Sequence, residues 1–462
     1  MYNTTQTHIH FVGIGGIGMS GIARILRHQG YRVSGCDIDC NQKSVHDLKE
    51  LGCPIAEGHG SSLCYDESIT VLVYSTMVGL DAPEIVAARA RGLPVIHRSL
   101  MLAELMRTKY SIAVAGAHGK TTTTSMISHI LIEGKKDPTV IIGGHLTSLS
   151  SNAHWGEGDF LVAEADESDR SFLRLNPTIA VVTNIDAEHL DVYTDIGDVS
   201  AAFTQFLENV PFYGKAVLCV DDQRVAQLPP CHVPAITYGL AEGAHIRGSD
   251  VVLGATSSEC TVVERGIVRG RVTIAMPGIH NVQNALAAYA VARELEMPHD
   301  DIAAALASFK GVDRRFTYRG AWHGVEIFDD YGHHPTEIMH TLAVARRRAQ
   351  GKLIVAFQPH RYTRTYHLWN DFLRVFAESA PDHLIITDIY GASEPAIEGI
   401  SSDRLVAELK RCKPEISLEL CSSANNFEAV QSAVIARAQP GDLVLFLGAG
   451  RIPVVGINIL KS

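Results

Sequence analysis

Residues 114–124 read Val-Ala-Gly-Ala-His-Gly-Lys-Thr-Thr-Thr-Thr, and no other segment says as much about the architecture of this chain. The apolar run 111–114 predicts a buried strand, and residues 125–131 carry apolar side chains at helical spacing. A strand, a glycine turn with Gly-Lys-Thr and a helix form the layout of a phosphate-binding loop. The full pattern needs a glycine at position 114, which holds valine, so this loop is the shortened form Gly-x-x-Gly-Lys-Thr.

The residue types in this loop suit a polyphosphate ligand. Backbone N–H groups at the start of the helix face the phosphates, Lys120 neutralises their charge, and the Thr121 hydroxyl binds Mg²⁺. The alternative, a glycine turn with a surface lysine, leaves the agreement of strand, helix and hydroxyl run unexplained. The sequence therefore predicts binding of ATP and Mg²⁺, with loop contacts from Gly116, His118, Gly119, Lys120, Thr121 and Thr122.

A second glycine turn, Gly-x-Gly-x-x-Gly, occupies residues 13–18. It follows a predicted strand, 8–12, and precedes a predicted helix, 19–28, and a strand, 32–36, that ends at Asp37. A βαβ unit with an acidic residue about 20 positions on is typical of a site for a nucleotide diphosphate. The alternative is tight packing of helix on strand without a ligand. The predicted contacts are Gly13, Gly15, Gly16, Gly18, Asp37 and Ser75.

Composition limits the classes of protein to consider. The 462 residues are 46% hydrophobic and 20% charged, as in a soluble protein of several domains. Residues 1–8 lack the basic and apolar regions of a signal peptide, and no apolar run is long enough to span a membrane. A net charge of −11 without a basic stripe argues against nucleic-acid binding. Nine scattered cysteines without a CxxC pair favour reduced thiols in a cytoplasm over disulfides or a zinc site.

The pattern of strands and helices predicts an α/β fold of three domains. These are a Rossmann-like domain at 1–98, a central ATP-binding domain at 99–311 and a second Rossmann-like domain at 312–462. Near-continuous apolar strands separated by helices indicate parallel sheets covered on both faces. In the central domain we expect strands at 112–115, 140–142, 160–163, 179–183 and 216–220, then a β-rich stretch at 235–275. In the last domain we expect strands at 327–330, 353–357, 384–387, 417–420 and 443–447.

Polar residues follow several of these strands, where open α/β sheets bind ligands. Glu164 follows the predicted strand 160–163 and is our first choice for a Mg²⁺ ligand, the alternative being a solvated acidic loop. His189 follows strand 179–183 and could be a second metal ligand, with Asp186 or Asp191 orienting it or contacting phosphate. A histidine by itself would more often be structural.

Two polar motifs follow later in the chain. His280 and Asn284 open a predicted helix and could recognise an adenine edge, although helix capping by Asn281 is the alternative. Arg361 and Arg364 follow strand 353–357. Two arginines there suit a carboxylate clamp, because a guanidinium holds a carboxylate in a bidentate fork, whereas solvated arginines are the alternative.

Five motifs in this order resemble those of the Mur ligases of peptidoglycan precursor synthesis. They lie at residues 10–21, 117–123, 164–169, 329–335 and 358–365. The resemblance implies three domains that bind a UDP-sugar, ATP and an amino acid in turn. It also implies that the lactyl carboxylate of UDP-N-acetylmuramate attacks the γ-phosphate of ATP, and that the amine of L-alanine then displaces phosphate from the acyl phosphate.

The resemblance also implies roles for individual residues. Lys120, Glu164 and His189 would be catalytic, with Thr121 and Glu164 on a first metal ion and Glu164 and His189 on a second. ATP contacts would come from His280, Asn284 and Arg315, and the amino-acid site would contain Tyr331, His333, Arg361 and Arg364. Several sister ligases use a carbamylated lysine near the second metal, but this chain has no lysine between Lys136 and Lys215. Arg451 stands where Asp, Asn or Ser is expected, and it receives no role.

Three other functions compete with this one. A recycling ligase of the same family joins a whole tripeptide to UDP-N-acetylmuramate, but a paired-arginine pocket suits one small amino acid. An NAD-dependent dehydrogenase would explain the first βαβ unit and leave the Gly-Lys-Thr loop without a role. A nucleotide sensor without catalysis would leave the motifs of the last domain unexplained. Small-molecule substrates, a cytoplasmic location and a monomer or weak homodimer complete our expectations.

Overall fold

The computed structural model describes residues 6–146 and 151–462, which form three sheets flanked by helices. The three-domain α/β architecture expected from the sequence is confirmed. The boundaries after residues 98 and 311 remain predictions. The absence of a signal peptide was inferred partly from residues 1–5, which lie outside the described residues. Among those that are described, we find no helix with the length and apolarity needed to cross a membrane.

The first sheet has five parallel strands in the order β3-β2-β1-β4-β5. Its central strand β1 is buried at every position, including His8 and His10, because neighbouring strands and the flanking helices cover it. Its elements are β1 (His8–Val12), α1 (Ile17–His28), β2 (Arg32–Asp37), α2 (Lys43–Glu50), β3 (Ile55–Glu57), a 3₁₀ helix (Ser62–Tyr65), β4 (Val71–Tyr74), α3 (Pro83–Ala90) and β5 (Val95–His97), followed by α4 (Arg98–Met106).

The central sheet has ten strands in the order β15-β14-β13-β12-β11-β10-β6-β9-β7-β8. Its strands are β6 (Tyr110–Ala115), β7 (Thr139–Leu146), β8 (Ser151–His154), β9 (Phe160–Glu164), β10 (Ile179–Val182), β11 (Lys215–Cys219), β12 (Ala235–Gly239), β13 (Ile246–Leu253), β14 (Ser258–Glu264) and β15 (Ile267–Ile274). Its helices are α5 (Lys120–Glu133), a 3₁₀ helix (Ser171–Arg174), α6 (Ile196–Glu208), α7 (Gln223–Ala226), α8 (Ile279–Glu294) and α9 (His299–Ser308).

The third sheet has six strands in the order β16-β17-β21-β18-β19-β20, parallel except for β16. Its strands are β16 (Thr317–Trp322), β17 (Val325–Asp330), β18 (Leu353–Phe357), β19 (His383–Thr387), β20 (Leu418–Cys421) and β21 (Leu443–Leu447). Its helices are α10 (Pro335–Arg348), α11 (Tyr362–His367), α12 (Trp369–Ser379), α13 (Ser402–Cys412), α14 (Ala424–Arg437) and α15 (Pro453–Lys461).

The structure corrects three details of the sequence-based expectation. The central sheet is parallel only from β13 to β7. At one edge β14 pairs antiparallel with β13 and β15 pairs antiparallel with β14, and at the other edge β8 pairs antiparallel with β7. Helix α1 begins at Ile17, so Gly18 lies inside the helix rather than in the turn. Glu164 is the last residue of β9 instead of following the strand. The first difference arises from pairing between strands, and the other two arise because a helix or strand extends one or two residues further than predicted.

Gly35 lies on β2, paired with Phe11 of the neighbouring strand β1. A Cβ atom there would sit 2.7 Å from the carbonyl oxygen of Phe11 and 2.7 Å from Ile14 Cδ1. We expect Gly35→Ala to lower the free energy of unfolding by about 1–3 kcal/mol, since a backbone atom cannot move aside as a side chain can. Gly16→Ala is the control, because its Cβ would meet only ordinary contacts at 3.6 Å and beyond. Equal urea midpoints for the two variants would contradict this reading.

The first and central sheets meet at a buried histidine, His97. Its Nε2 lies 2.9 Å from the Thr76 hydroxyl, which donates to Asp169 of the central domain at 2.6 Å. Its Nδ1 accepts from the backbone N–H of Ser99 and so caps α4. Burial lowers the pKa of His97 to about 4, against the opposing pull of Asp169. The imidazole is therefore neutral in the folded protein at pH 7.

This lowered pKa gives a signed prediction for pH dependence. The folded-state pKa of about 4 lies below the ordinary value of 6.5, so the stabilisation is present above pH 6.5 and is lost as the pH falls through 4. His97→Asn retains an oxygen that can cap α4 but does not titrate. We expect the wild-type advantage over this variant in urea unfolding to shrink by about 1–2 kcal/mol between pH 7 and pH 4.5. A difference that does not change with pH would contradict the assignment.

Candidate functional site

The phosphate-binding loop lies between β6 and α5, and hydrogen bonds fasten it to the loop after β10. The backbone N–H of Ala117 donates to the Asn184 carbonyl at 3.2 Å, and that of His118 donates to Asn184 Oδ1 at 2.7 Å. The side-chain hydroxyl of Thr183 donates to the His118 carbonyl at 2.7 Å. Gly116 has φ of 142° and leaves no room for a side chain against Thr183. The loop is therefore held open and rigid.

Lys120, the first residue of α5, points back over this loop. Its Nζ donates to the carbonyl oxygens of Gly116 at 2.6 Å and Ala117 at 3.1 Å, and lies 2.8 Å from the Glu167 carboxylate. Burial alone would lower the pKa of Lys120, but the acidic residues Glu167 and Glu164 raise it above its ordinary value. The ammonium group therefore stays charged where a polyphosphate would lie.

Thr121 and Glu164, which the resemblance assigns to one metal ion, lie next to each other. The Thr121 hydroxyl lies 3.1 Å from each oxygen of Glu164, and the backbone N–H of Gly143 donates to Glu164 Oε2 at 2.8 Å. A hydroxyl and a carboxylate at the end of a strand beside a phosphate loop are hard oxygen donors, which suit Mg²⁺. The residues present thus fit the metal ion that the loop implies.

A second cluster contains Glu167, Glu188 and His189, which offer ligand atoms within 4.8 Å of one another. Oε2 of Glu167 lies 2.8 Å from Lys120 Nζ, and Oε1 of Glu188 is buried without a hydrogen-bond partner among the described residues. Burial raises the pKa of Glu167 to about 8. Burial would also raise that of Glu188, but the neighbours His118, His334 and Arg364 lower it to about 2. Two buried carboxyls beside an imidazole fit a divalent cation.

Glu167 and Glu188 were not among the residues predicted from the sequence. His189 was expected to share a metal with Glu164, whereas the structure places its Nε2 3.8 Å from Glu167 and 3.9 Å from Glu188. Both glutamates stand in the strand-end loops that carry Glu164 and His189, so their position in those loops was the available signal. The pairing of His189 with Glu164 remains untested.

His118 joins the central domain to the last domain. Its Nε2 lies 3.0 Å from Asp186 Oδ2, which also accepts from the Thr336 hydroxyl at 2.8 Å. Its Nδ1 lies 3.6 Å from Glu337. Burial would lower the pKa of His118, but Asp186 and Glu337 raise it to about 10, so the loop carries a second positive charge. Asp186 thus orients His118, and not His189 as one of our hypotheses had it.

A cavity of about 1230 Å³ opens beside the loop, between α8 and the last domain. Several predicted ATP contacts line it, namely His118, Gly119, Thr122, His280, Asn284 and Arg315. Burial lowers the pKa of His280 to about 3, and its Nδ1 has no hydrogen-bond partner among the described residues. A neutral imidazole with a free nitrogen, next to an amide, can form the directed hydrogen bonds that a purine edge requires. The cavity is large enough for a nucleotide.

The residues predicted to bind the amino-acid substrate follow β17 and β18 of the third sheet. The rings of Tyr331 and His333 are 5.3 Å apart, and Arg364 Nη1 lies 3.2 Å from His360 Nδ1. Burial lowers the pKa of His333 to about 4. Arg364 and Arg361 line a small pocket with residues 187–191 of the central domain.

Both arginines face carboxylates in this structure. Arg364 Nε lies 3.7 Å from Glu188 Oε1, whereas Arg361 Nη1 lies 3.6 Å from Glu394 and 3.9 Å from Asp191. Their role as a clamp for a substrate carboxylate remains a prediction.

The predicted UDP-sugar residues converge at the carboxyl edge of the first sheet. The backbone N–H of Gly15 donates to Asp37 Oδ2 at 2.7 Å, and the N–H of Gly13 donates to the Cys36 carbonyl at 2.9 Å. A Cβ atom on Gly13 would lie 3.4 Å from Ser75. Gly16 precedes α1, and Gly18 lies in its first turn, 3.1 Å from Arg98 when given a Cβ. The turn thus presents a helix N-terminus to the space where a diphosphate would bind.

Fold and site together define an α/β protein with a phosphate-binding loop between a glycine-turn domain and an arginine-bearing domain. Family models match three consecutive parts of the chain. They describe the "Mur ligase family, catalytic domain" at residues 8–110, the "Mur ligase middle domain" at 114–292 and the "Mur ligase, glutamate ligase domain" at 314–450. The chain belongs to the Mur ligase family.

Curated relatives match over the whole length. The UDP-N-acetylmuramate–L-alanine ligase of Syntrophus aciditrophicus is 48% identical over 455 residues, covering 98% of this chain and 93% of that protein. The enzyme of the same name from Geobacter sulfurreducens is 49% identical over 448 residues, covering 96% and 95%. As a Mur ligase the protein is an ATP-dependent enzyme that forms amide bonds, which sets aside the dehydrogenase and the sensor.

Solved structures agree with this assignment. UDP-N-acetylmuramate-alanine ligase MurC from Thermotoga maritima is 27% identical, has a TM-score of 0.80 and covers 98% of both chains. A murein peptide ligase from Psychrobacter arcticus is 23% identical, with a TM-score of 0.72 and 98% of both chains covered, and shows the shared fold.

Proposed function

We propose that this ligase joins L-alanine to the lactyl carboxylate of UDP-N-acetylmuramate in peptidoglycan precursor synthesis, with ATP cleaved to ADP and phosphate. One observation carries the proposal. Lys120 contacts Glu167, Glu167 shares a cluster with Glu188, and Glu188 contacts Arg364. This chain of contacts runs directly from the phosphate loop to the arginine pocket. A phosphoryl group at one end and an amino acid at the other would therefore meet over the same acidic cluster.

The residues on either side divide the substrates among the three domains. The glycine turn at residues 13–18, with Asp37 and Ser75, would hold the UDP diphosphate. The large cavity would hold ATP, with its base near His280 and Asn284 and with Arg315 on the phosphate side. Tyr331, His333, Arg361 and Arg364 would form the amino-acid site. Arg361 and Arg364 are assigned to the amino-acid site because they line the small pocket with residues 187–191.

The chemistry needs charge neutralisation, because a carboxylate must approach a polyanion. An oxygen of the lactyl carboxylate bonds to the γ-phosphorus while the bond from that phosphorus to the bridging oxygen of ADP breaks, giving an acyl phosphate. Lys120 and protonated His118 stabilise the charge on the transferred group. The unprotonated amine of L-alanine then bonds to the acyl carbon, and loss of phosphate and of a proton from the nitrogen leaves the amide.

The divalent ion has defined places in this scheme. Thr121 and Glu164 would hold one Mg²⁺, and His189 with Glu167 and Glu188 would hold another. When bound, Mg²⁺ supplies positive charge to the phosphate oxygens. We further propose a cytoplasmic enzyme that is a monomer or a weak homodimer and uses only these small-molecule substrates.

Phosphate release tests the proposal directly. The enzyme is supplied with ATP, Mg²⁺ and UDP-N-acetylmuramate, and either L-alanine or the tripeptide L-Ala-γ-D-Glu-meso-diaminopimelate is the acceptor. We expect turnover with L-alanine. Turnover with the tripeptide alone would make the protein a recycling ligase, and no turnover with either acceptor would refute the assignment of substrates.

The arginine pocket gives a sharper prediction. We expect Arg364→Ala to raise the KM for L-alanine about 10- to 100-fold, because a charge-assisted hydrogen bond to a carboxylate is worth about 1.5–3 kcal/mol. The KM for ATP should stay within about twofold. Arg374→Ala is the control, since Arg374 is exposed and, within the described part of the chain, its ion pair is with Asp371 on its own helix. Parallel increases in both KM values would show that Arg364 maintains the fold and does not bind the amino acid.

A further inference from the structure

A buried group of two cysteines and one histidine lies in the first domain, next to the glycine turn and outside the phosphate-binding loop. His10 is on β1, Cys36 is on β2, and Cys64 is in the 3₁₀ helix Ser62–Tyr65. One ring nitrogen of His10 and the two cysteine Sγ atoms lie within 4.8 Å of one another. The exposed fractions are 0% for His10, 1% for Cys36 and 4% for Cys64. Along the chain, 25 residues lie between His10 and Cys36 and 27 between Cys36 and Cys64, so no local motif identifies the group.

The imidazole of His10 is oriented by the hydroxyl group of Ser34. Its Nδ1 lies 2.8 Å from Ser34 Oγ, and the same hydroxyl lies 2.7 Å from His8 Nε2. Nε2 of His10 is buried and has no hydrogen-bond partner among the described residues. A histidine that uses one ring nitrogen to bond a neighbour and leaves the other free among thiols has the arrangement typical of a metal ligand.

A buried carboxylate adjoins the thiols. Glu84 on α3 is 0% exposed, and its Oε1 accepts from the backbone N–H of Gly60 at 2.7 Å and lies 3.0 Å from His59 Nδ1. Oε1 also lies 3.9 Å from Cys36 Sγ. Oε2 has no partner among the described residues. A fully buried carboxylate with one unsatisfied oxygen is costly unless a cation or a donor compensates it.

The surroundings of the two cysteines are apolar, which makes an uncompensated carboxylate beside them more costly. Cys36 and Cys64 pack with four buried apolar side chains of the same layer, namely Val12, Leu72, Ile85 and Ala88. Two thiols and an imidazole select a thiophilic divalent ion such as Zn²⁺ over Mg²⁺, which prefers oxygen. The Zn–S and Zn–N distances of about 2.3 Å and 2.0–2.1 Å bring such ligands closer together than 4.8 Å, which side-chain rotation can accomplish.

We propose that His10 Nε2, Cys36 Sγ and Cys64 Sγ bind one Zn²⁺ ion in the first domain, with the Glu84 carboxylate beside Cys36. Two Zn–S bonds form as the two S–H protons leave to solvent, so the thiolates cancel the charge of the ion. Because the three ligand residues are buried, the role of the site is structural. It differs from the Mg²⁺ sites in place and in ligand chemistry.

The ion would stabilise the glycine turn above it. The carbonyl of Cys36 accepts from the backbone N–H groups of Gly13 at 2.9 Å and Ile14 at 3.1 Å, so the ligand residue is bonded directly to the turn. Cross-linking β1, β2 and the 3₁₀ helix would hold this turn in place. The ion would therefore stabilise the first domain, whichever amino acid the enzyme adds.

Cobalt substitution tests the proposal on the full-length protein. Metal-free enzyme is titrated with Co²⁺ without oxygen and with a phosphine reductant, in the presence of excess Mg²⁺. We expect a sulfur-to-cobalt charge-transfer band that saturates at about one equivalent and disappears on addition of Zn²⁺. The acidic cluster at Glu167 and Glu188 contains no sulfur and cannot give this band.

Two variants and one further measurement complete the test. Cys64→Ala should weaken Co²⁺ binding at least about 100-fold, whereas the control Cys53→Ala, also buried in the first domain but outside the group, should bind as the wild type does. If Cys64→Ala does not fold, X-ray absorption of the zinc-loaded wild type should show two sulfur neighbours near 2.3 Å. A spectrum with only oxygen and nitrogen neighbours, or equal binding by the two variants, would overturn the proposal.

Discussion

A Lys120→Met variant is expected to lose at least about a thousandfold in kcat/KM while it keeps its fold. The Lys120 ammonium lies over the phosphate loop, with Nζ 2.6 Å from the Gly116 carbonyl and 2.8 Å from Glu167. Methionine fills nearly the same volume but leaves the transferred phosphoryl group without this charge. Loss of one preorganised donor costs about 10²–10³, and loss of a cation on a phosphoryl group about 10³–10⁵.

Folding should survive because Glu167 is not left as a buried anion. Burial already raises the pKa of Glu167 to about 8, so the carboxyl holds a proton at neutral pH once the lysine is gone. Lys215→Met is the control, since Lys215 is half-buried at the start of β11, 3.7 Å from Glu294. Phosphate release and thermal melting should both be measured. Turnover of Lys120→Met within tenfold of the wild type would show that Lys120 is not part of the phosphoryl-transfer machinery.

A Gly116→Ala variant is expected to lose at least about 100-fold in ATP affinity and to melt at a lower temperature. The added Cβ atom would lie 2.0 Å from Thr183 Oγ1 and 3.2 Å from the backbone N and O of Asn184. Those residues hold the loop through bonds to Ala117 and His118. The clash must therefore push the loop away from the position in which its N–H groups face phosphate.

Backbone strain has to be separated from this clash. Gly116 has φ of 142°, and a residue with a side chain pays about 1–3 kcal/mol for such a conformation. Gly243→Ala provides the control, because Gly243 also has a positive φ, of 89°, but a Cβ there meets nothing within 4 Å. Nucleotide binding by calorimetry should be normal in the control. Binding by Gly116→Ala within threefold of the wild type would mean that the loop tolerates displacement.

Sequence patterns anticipated the scaffold of the site closely. Strands β1, β18 and β21 have the bounds that the apolar runs predicted, and the loop after β6 adopts the predicted turn before α5. These features depend on short-range rules, namely burial of continuous apolar strands, glycine at a turn and a helix that begins at the loop.

The acidic cluster shows where such rules stop. Glu167 and Glu188 stand in two different loops, and their neighbours Asp166 and Glu164 look equally suitable in the sequence. Which carboxylate points toward Lys120 depends on the order of strands in the sheet and on how each loop leaves its strand. Both are settled by packing between distant segments. The two arginines illustrate the same limit, because their contacts with Glu188, Asp191 and Glu394 cross from one domain to another or between loops.

The thiol group is the strongest example of tertiary control. Scattered cysteines without a CxxC pair favoured reduced thiols, and all nine are indeed free of disulfides. They also argued against a zinc site, yet the fold brings Cys36 and Cys64 together with His10. The sequence by itself determined the α/β class, the glycine loops and the residue types available to the site, since local periodicity and turn chemistry suffice for these. Only the tertiary structure decided which of the available side chains meet, because strand order and burial between segments far apart in the chain bring them within bonding distance.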